Sequence, residues 1–278
     1  MKIVVTGANG YIGQGVIRKL LEDGIQVVAA DFYIEKIYAE IDYRECDIFS
    51  IEDPFSFFGQ PDALLHLAWR DGFIHNSIHH LEDLPRHYEF LRKMIDGGIS
   101  QICVMGSMHE VGFFEGSIDE NTPCNPQSLY GISKNALRNA IKLSANEKGK
   151  LFQWIRGFYI VGNTGKGSSI FSKITQAAEE GKKHFPFTKG INQYDFIDYG
   201  DFCEQVAAVV EQNAIQGIIN CCSGVPMRLS ERVEQFIVDN NYEIQLDYGA
   251  FPDRPYDSKA IWGNNQKIAE IMKRYKNE

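Results

Sequence analysis

Short apolar runs separated by longer stretches of helical periodicity dominate the first part of the chain. The runs Ile3–Thr6, Gln26–Ala30, Ala63–Leu67, Gln101–Met105 and Phe152–Arg156 are almost continuously apolar, as expected of strands covered on both faces. Between them the spacing predicts helices at Tyr11–Glu22, Leu84–Asp96 and Leu129–Glu147. This alternation predicts an α/β fold, a doubly wound parallel sheet with helices on both faces. After about Gly157 the pattern loosens. Glycine and serine cluster over Gly162–Ser169, and helices are predicted from there to about Glu180 and at Gly200–Gln212, Ser230–Asn240 and Gln266–Tyr275, with few clear strands. We expect residues 1–160 to form the larger domain and residues 161–278 mainly a smaller lobe interleaved with it.

The first strand runs straight into IVVTGANGYIG, with Gly7, Gly10 and Gly13 leading into a helix. Glycines at this spacing allow a tight turn, close approach to a pyrophosphate and tight helix–sheet packing, while the helix start offers free N–H groups. The spacing is common by chance; its place after the first strand gives it weight. The segment predicts dinucleotide contacts from Gly7, Asn9, Gly10, Tyr11, Ile12 and Gly13, against the alternative of a tight turn without a ligand. Asp31 ends the second strand, eighteen residues beyond Gly13. A carboxylate there bonds the adenosine ribose and repels a 2′-phosphate, and Phe32 and Tyr33 offer no arginine for such a phosphate, so NAD(H) is expected over NADP(H). A solvated strand-end aspartate is the alternative. Asp47 and Ile48 are weaker candidates for meeting the adenine.

Composition narrows the class. The 278 residues are 44% hydrophobic and 23% charged, with a net charge of −9, which suits a folded protein and argues against a nucleic-acid groove. No run of apolar residues is long enough to span a membrane, and a first strand starting at Lys2 leaves no room for a signal peptide. Six cysteines (Cys46, Cys103, Cys124, Cys203, Cys221, Cys222) show no CxxC pair, so neither a metal site nor a disulfide framework is expected. The expectation is a cytoplasmic protein.

Tyr130 and Lys134 stand four apart at the start of a predicted helix and so share one face. An ammonium beside a phenol, with a positive nicotinamide nearby, favours the ionised form and is expected to bring the Tyr130 pKa down toward neutrality. Such a tyrosine passes a proton to or from a hydroxyl as hydride moves. Ser107 follows the strand Gln101–Met105, where ligands gather at the carboxyl ends of parallel strands, and its hydroxyl can share charge developing on a substrate oxygen. A loop-capping serine is the alternative.

Taken together, TGANGYIG, LLHLAW, GSMHEVG and DENTPCNPQSLYGISK resemble the extended short-chain dehydrogenase/reductases that act on nucleotide sugars, the NAD-dependent epimerase/dehydratase type. The resemblance is dense over about the first 160 residues. It implies a Rossmann-type sheet with a small C-terminal substrate-binding lobe, Tyr130 as general acid/base, Lys134 as its modulator and a holder of the nicotinamide ribose, and Ser107 as hydrogen-bonding partner. His66, Leu67 and Ala68 fall on the strand end that passes the cofactor. Arg254 and Asp257, in RPYD, match a segment near the nucleotide diphosphate, with an exposed surface arginine as the alternative. Tyr159 stands where relatives carry a substrate-contacting asparagine, Tyr194 where they carry an arginine, and EDLPRHY replaces a supporting Asn-x-x-Gly-Thr. Relatives pair through two long helices, which implies a homodimer built on Leu84–Asp96 and Leu129–Glu147.

Met108 and His109 follow Ser107 where dehydratases of the family carry an acidic pair, and Glu110 lies one residue further on, turned elsewhere; dehydration is disfavoured. His109 reads either as a second acid/base near the sugar or as a residue that shapes the pocket. Within the family it resembles, so compact a chain is more typical of the 4-keto reductases, which implies reduction of a nucleotide-linked 4-keto-6-deoxyhexose, dTDP-linked, by NADH. A 4-epimerase that keeps NAD bound and a non-catalytic dinucleotide sensor are the alternatives.

Overall fold

The structure is a computed structural model and describes residues 1–34, 41–162, 169–252 and 258–276. In chain order it contains β1 (Lys2–Thr6), α1 (Tyr11–Glu22), β2 (Gln26–Asp31), β3 (Asp42–Glu45), α2 (Pro54–Phe57), β4 (Ala63–His66), α3 (His79–Gly97), β5 (Gln101–Ser107), a single 3-10 turn (Met108–Glu110), β6 (Gly116–Ile118), α4 (Leu129–Glu147), β7 (Leu151–Gly157), β8 (Tyr159–Val161), α5 (Ile170–Glu179), β9 (His184–Pro186), β10 (Gln193–Asp198), α6 (Tyr199–Glu211), β11 (Gly217–Cys221), β12 (Pro226–Arg228), α7 (Leu229–Asp239), β13 (Gln245–Asp247), β14 (Ala260–Gly263) and α8 (Gln266–Tyr275).

Seven strands form one sheet in the order β11-β7-β5-β4-β1-β2-β3, and every pairing in it is parallel. Successive side chains of a strand point to opposite faces. Ile3 and Val5 of β1 therefore pack against α1, α6 and α8, whereas Val4 packs against α3 and α4. Both faces are apolar, which explains the uninterrupted runs in the sequence. The order reverses between β1 and β4, the crevice where doubly wound sheets bind ligands.

A second sheet, β12-β10-β14-β6 with β8 joined to β10, takes β6 from before α4 and its other strands from past β7, and a two-stranded pair, β13-β9, also lies past β7. Beneath it lies a separate core that includes Phe171, Phe187, Phe196 and Phe236. The chain also returns to the large sheet, since β11 pairs with β7 and α8 packs on the same face as α1 and α6. Two expectations are corrected. The helix placed at Leu84–Asp96 begins at His79 and carries Pro85 inside it; a proline forfeits one backbone bond, and α3 still holds because Phe90, Leu91, Met94 and Ile95 are buried beneath it. The later strands were missed because they are short and half-polar, with HFP, PMR and QLD spanning three residues each. Among the described residues, no helix is long and apolar enough to cross a membrane.

Candidate active site

At the β1–β4 switch point the glycine loop is shaped by steric necessity. Gly7 has φ +71°, and a Cβ there would lie 2.7 Å from the Ala68 nitrogen and 2.9 Å from the Leu67 carbonyl carbon. A Cβ on Gly13 would overlap the Gly7 and Ala8 carbonyls. Gly10 caps α1 without any side-chain hydrogen bond, and no acidic residue occupies the first turn, so the positive end of the helix faces the loop unneutralised. This cradle, which side chains would fill, fits a pyrophosphate. Asn9 donates its N–H to Asp31 Oδ2 at 2.9 Å and Phe32 donates to Oδ1 at 2.8 Å, fixing the carboxylate at the end of β2.

The other candidates in this region divide. Leu67 and Ala68 lie against Gly7. The Cys46 N–H donates to the Asp31 carbonyl, which brings Asp47 beside Asp31, but the Asp47 carboxylate accepts from Phe49 N–H and pairs with Arg86. Ile48 is buried in the sheet–helix core, and Ile12 also packs into the core. The Tyr11 ring stacks on Tyr199 at 4.1 Å.

Ser107 closes β5, and Tyr130 is the second residue of α4. Three N–H groups at the start of α4 are held: Leu129 N–H by Asn76 Oδ1, Tyr130 N–H by the His75 carbonyl, and Gly131 N–H by Ser128 Oγ. The segment after β4 thus fixes the N-terminus of the helix that carries Tyr130. The Tyr130 hydroxyl shares a hydrogen bond with Ser107. Lys134 Nζ donates to the Met105 carbonyl at 2.7 Å and lies 3.8 Å from the Trp69 ring centroid, a cation–π contact. The structure therefore gathers Ser107, Tyr130, Lys134 and His109 at one carboxyl edge of the sheet.

The lowering expected for Tyr130 draws on a nicotinamide charge as well as on Lys134; the protein's own groups act the other way. Burial pushes the phenol up to about 12, the Glu110 carboxylate adds to that, and only the Ser107 hydrogen bond opposes it. Burial also brings Lys134 down to about 7, with Glu110 acting in the other direction. His109 is lowered to about 4, by burial first and then by His75; it is a neutral imidazole at neutral pH.

Several residues around the site were not singled out from the sequence. His75 stacks on the Tyr130 ring at 5.5 Å and lies 4.4 Å from His109. Trp69 stacks on His87 at 4.4 Å and donates its N–H to His80 Nδ1. His66 is buried between Thr6 Oγ1 and His87 Nδ1, at 2.7 and 2.9 Å. Six of the seven histidines fall between positions 66 and 109, a clustering that could have drawn attention to this region. Among the described residues they form no group arranged to hold a metal. Glu110 is turned from the substrate side, as expected, but is fully buried beneath Ser107. Tyr159 and Tyr194 meet at 4.7 Å on the neighbouring strands β8 and β10, so the two departures from the family pattern form one aromatic contact. Arg254 and Asp257 lie outside the described residues.

Comparison with known proteins agrees with this geometry. The model of the NAD dependent epimerase/dehydratase family matches residues 3–222. A dTDP-6-deoxy-L-talose 4-dehydrogenase (NAD(+)) from Aggregatibacter actinomycetemcomitans is 43% identical over 269 residues, covering 95% of this chain and 99% of that protein. Among solved structures, a UDP-N-acetylglucosamine 4-epimerase from Methanobrevibacter ruminantium M1 superposes with a TM-score of 0.84 at 17% identity, covering 97% of this chain and 91% of the other. A UDP-glucuronic acid 4-epimerase from Bacillus cereus, in complex with NAD, gives 0.82 at 18% identity, covering 98% and 93%. With its parallel sheet, its glycine cradle and its Ser–Tyr–Lys constellation, the chain belongs to the NAD-dependent epimerase/dehydratase family.

Proposed function

We propose that the protein is an NAD(H)-dependent oxidoreductase that interconverts a dTDP-linked 6-deoxyhexose and its 4-keto form. The observation that carries this reading is the convergence of Ser107, Tyr130 and Lys134 at the carboxyl edge beside the glycine cradle. Similarity along nearly the whole chain to a dTDP-6-deoxy-L-talose 4-dehydrogenase supports the sugar class. NAD, when bound, supplies the ring that carries hydride and, when oxidised, a positive charge. Gly7, Asn9, Gly10, Gly13 and Asp31 would hold its adenosine diphosphate half, with Leu67 and Ala68 along its path and Lys134 and Tyr130 at the nicotinamide ribose. Tyr130, protonated at neutral pH because burial raises its pKa, gives its proton to the C4 oxygen in reduction and takes it back in oxidation. The Ser107 hydroxyl bonds the same oxygen. His109, neutral in this site, serves as a hydrogen-bonding wall of the pocket; active enzyme in deuterated water then leaves sugar C3 and C5 hydrogens unexchanged.

The later lobe, with Tyr159, Tyr194, Arg254 and Asp257, takes the sugar nucleotide. The chain works as a homodimer through α3 and α4, which expose Leu81, Ile132 and Leu143. All six cysteines are free thiols, in keeping with a reducing cytoplasm.

The test is an absorbance assay with 4-keto and ordinary sugar nucleotides. Stoichiometric loss of NADH with a dTDP-4-keto-6-deoxyhexose is the expected result. Turnover of sugar nucleotides without net change in NADH would make the protein an epimerase, and binding without turnover a sensor; either result overturns the proposal. Cofactor choice gives a second expectation. Asp31→Ser removes the charge that repels a 2′-phosphate, so the preference for NADH over NADPH, as a ratio of kcat/KM, should fall by about tenfold or more. An unchanged ratio would take Asp31 out of the cofactor site.

A further inference from the structure

Directly beneath Ser107 lies a buried ionic cluster that the reaction as proposed does not use. Glu110 Oε1 accepts the backbone N–H of Ser107 at 2.7 Å and the indole N–H of Trp154 at 2.8 Å. Its Oε2 accepts from Arg138 Nη1 at 2.8 Å and faces Arg156 Nη2 at 3.8 Å. Glu110 and Arg156 are fully buried and Arg138 nearly so. One carboxylate thus stands between two guanidinium groups brought by α4 and β7. Its removal would leave both cations in the interior without a counter-charge, so a purely structural role is the competing explanation.

Two features go beyond structure. The anion bonds the backbone of Ser107 itself, so the serine hydroxyl is placed relative to Tyr130 through Glu110. Glu110 is also the carboxylate that acts electrostatically on both Tyr130 and Lys134. The charged and titratable groups facing Glu110 are Arg138, with Cys124 at 3.5 Å from its guanidinium, and Arg156, which also bonds the Asp119 carbonyl. Those facing Tyr130 are His75, His80 and His109, ring to ring, and Lys134. Burial lowers the pKa of His75, and that of His109 to about 4.

We propose that Glu110 is a positioning residue, which fixes Ser107 through its backbone N–H and, balanced by Arg138, holds a buried negative charge at the foot of the Ser107–Tyr130 site. The proposal rests on the dehydrogenase reading for the role of Tyr130, but its primary test needs no sugar. The Tyr130 titration is followed by NMR in NAD-loaded protein carrying carbon-13-labelled tyrosine, the signal being assigned by its loss in Tyr130→Phe. Glu110→Gln keeps an acceptor for Ser107 and Trp154 and removes the charge, which should move the Tyr130 midpoint down by about one pH unit. Arg138→Leu leaves Glu110 in place and unbalances it, which should move the midpoint up. Opposite shifts cannot arise from loosened packing alone, and the arginine variant decides the matter if the glutamine variant does not fold. Midpoints that stay put, or move in one direction in both variants, overturn the proposal. Failure of wild-type enzyme on every sugar nucleotide overturns the dehydrogenase reading and leaves the titration result standing by itself. Where turnover is measurable, the pH profile of kcat in the oxidative direction should follow the shifted midpoint while KM for the sugar nucleotide stays within about twofold.

Discussion

Tyr130→Phe is expected to lower turnover by about a thousandfold while leaving NADH affinity within about twofold of wild type. The substitution removes only the hydroxyl. The ring keeps its stack on His75 at 5.5 Å and its edge contacts with Trp69 and His80, and the lost bond to Ser107 costs about 1 kcal/mol of stability. The proton has no ready substitute nearby. Lys134 is committed to the Met105 carbonyl, and His109, with its pKa lowered to about 4, carries no proton to spare at neutral pH. The direction of pH dependence follows from the raised phenol pKa. Reduction uses the protonated phenol and stays active across neutral pH, whereas oxidation needs the phenolate and its rate climbs as pH rises toward the Tyr130 midpoint. Steady-state rates in both directions, with NADH binding by fluorescence titration, check both statements. Turnover within tenfold of wild type would show that the proton travels by another route.

The parts of the site that were legible in the sequence are those in which local geometry is the chemistry. Gly7, Gly10 and Gly13 declare a turn that only glycine makes, and Asp31 follows at the distance one strand–helix–strand unit imposes. Tyr130 and Lys134 share a face because four residues make one helical turn. Glu110 was legible only as a position. Its partners Arg138, Trp154 and Arg156 come from two other elements, 28, 44 and 46 residues further along the chain, and no local pattern announces such a convergence. The same holds for Trp69 and His75, whose contacts with Lys134 and Tyr130 exist only once the segment after β4 packs against the start of α4.

The fold divides along similar lines. Strands buried on both faces, such as Ala63–His66, are apolar but for the closing histidine and read plainly. Edge strand β3, DYRE, has no fully buried residue, and nothing in its composition separates it from a loop. The strands of the second sheet alternate over too few residues for a period of two to emerge. Asp195 illustrates the cost of reading them alone. It looks like a polar interruption in QYDFID, yet it is fully buried, accepting N–H groups from Ser223, Gly224 and Gly263. Its partners lie on segments distant in sequence, so its burial is a tertiary fact.

Gly7→Ala should be strongly damaging to both the fold and cofactor binding, and Gly24→Ala is its control. Both glycines have a left-handed backbone, with φ of +71° and +73°, so alanine at either one carries the same conformational penalty of about 1–2 kcal/mol. They differ in what surrounds the added carbon. Nothing lies within 4 Å of it at Gly24, whereas at Gly7 it meets Ala68 N, Ala68 Cα and the Leu67 carbonyl carbon, all below 3.0 Å. Those are backbone atoms at the end of β4, held by the Leu67 N–H bond to the Thr6 carbonyl, and they cannot swing aside as a side chain would. Relief requires β1 and β4 to separate at the switch point, which also opens the phosphate cradle. The control should lose about 1 kcal/mol and melt a few degrees lower with NADH binding intact. Gly7→Ala should lose about 3 kcal/mol or more and bind NADH at least about a hundredfold more weakly. Thermal melts and NADH titrations of the two variants side by side measure the difference. Equal melting points would mean that the approach of the glycine loop to Leu67 and Ala68 is not what confines this position to glycine.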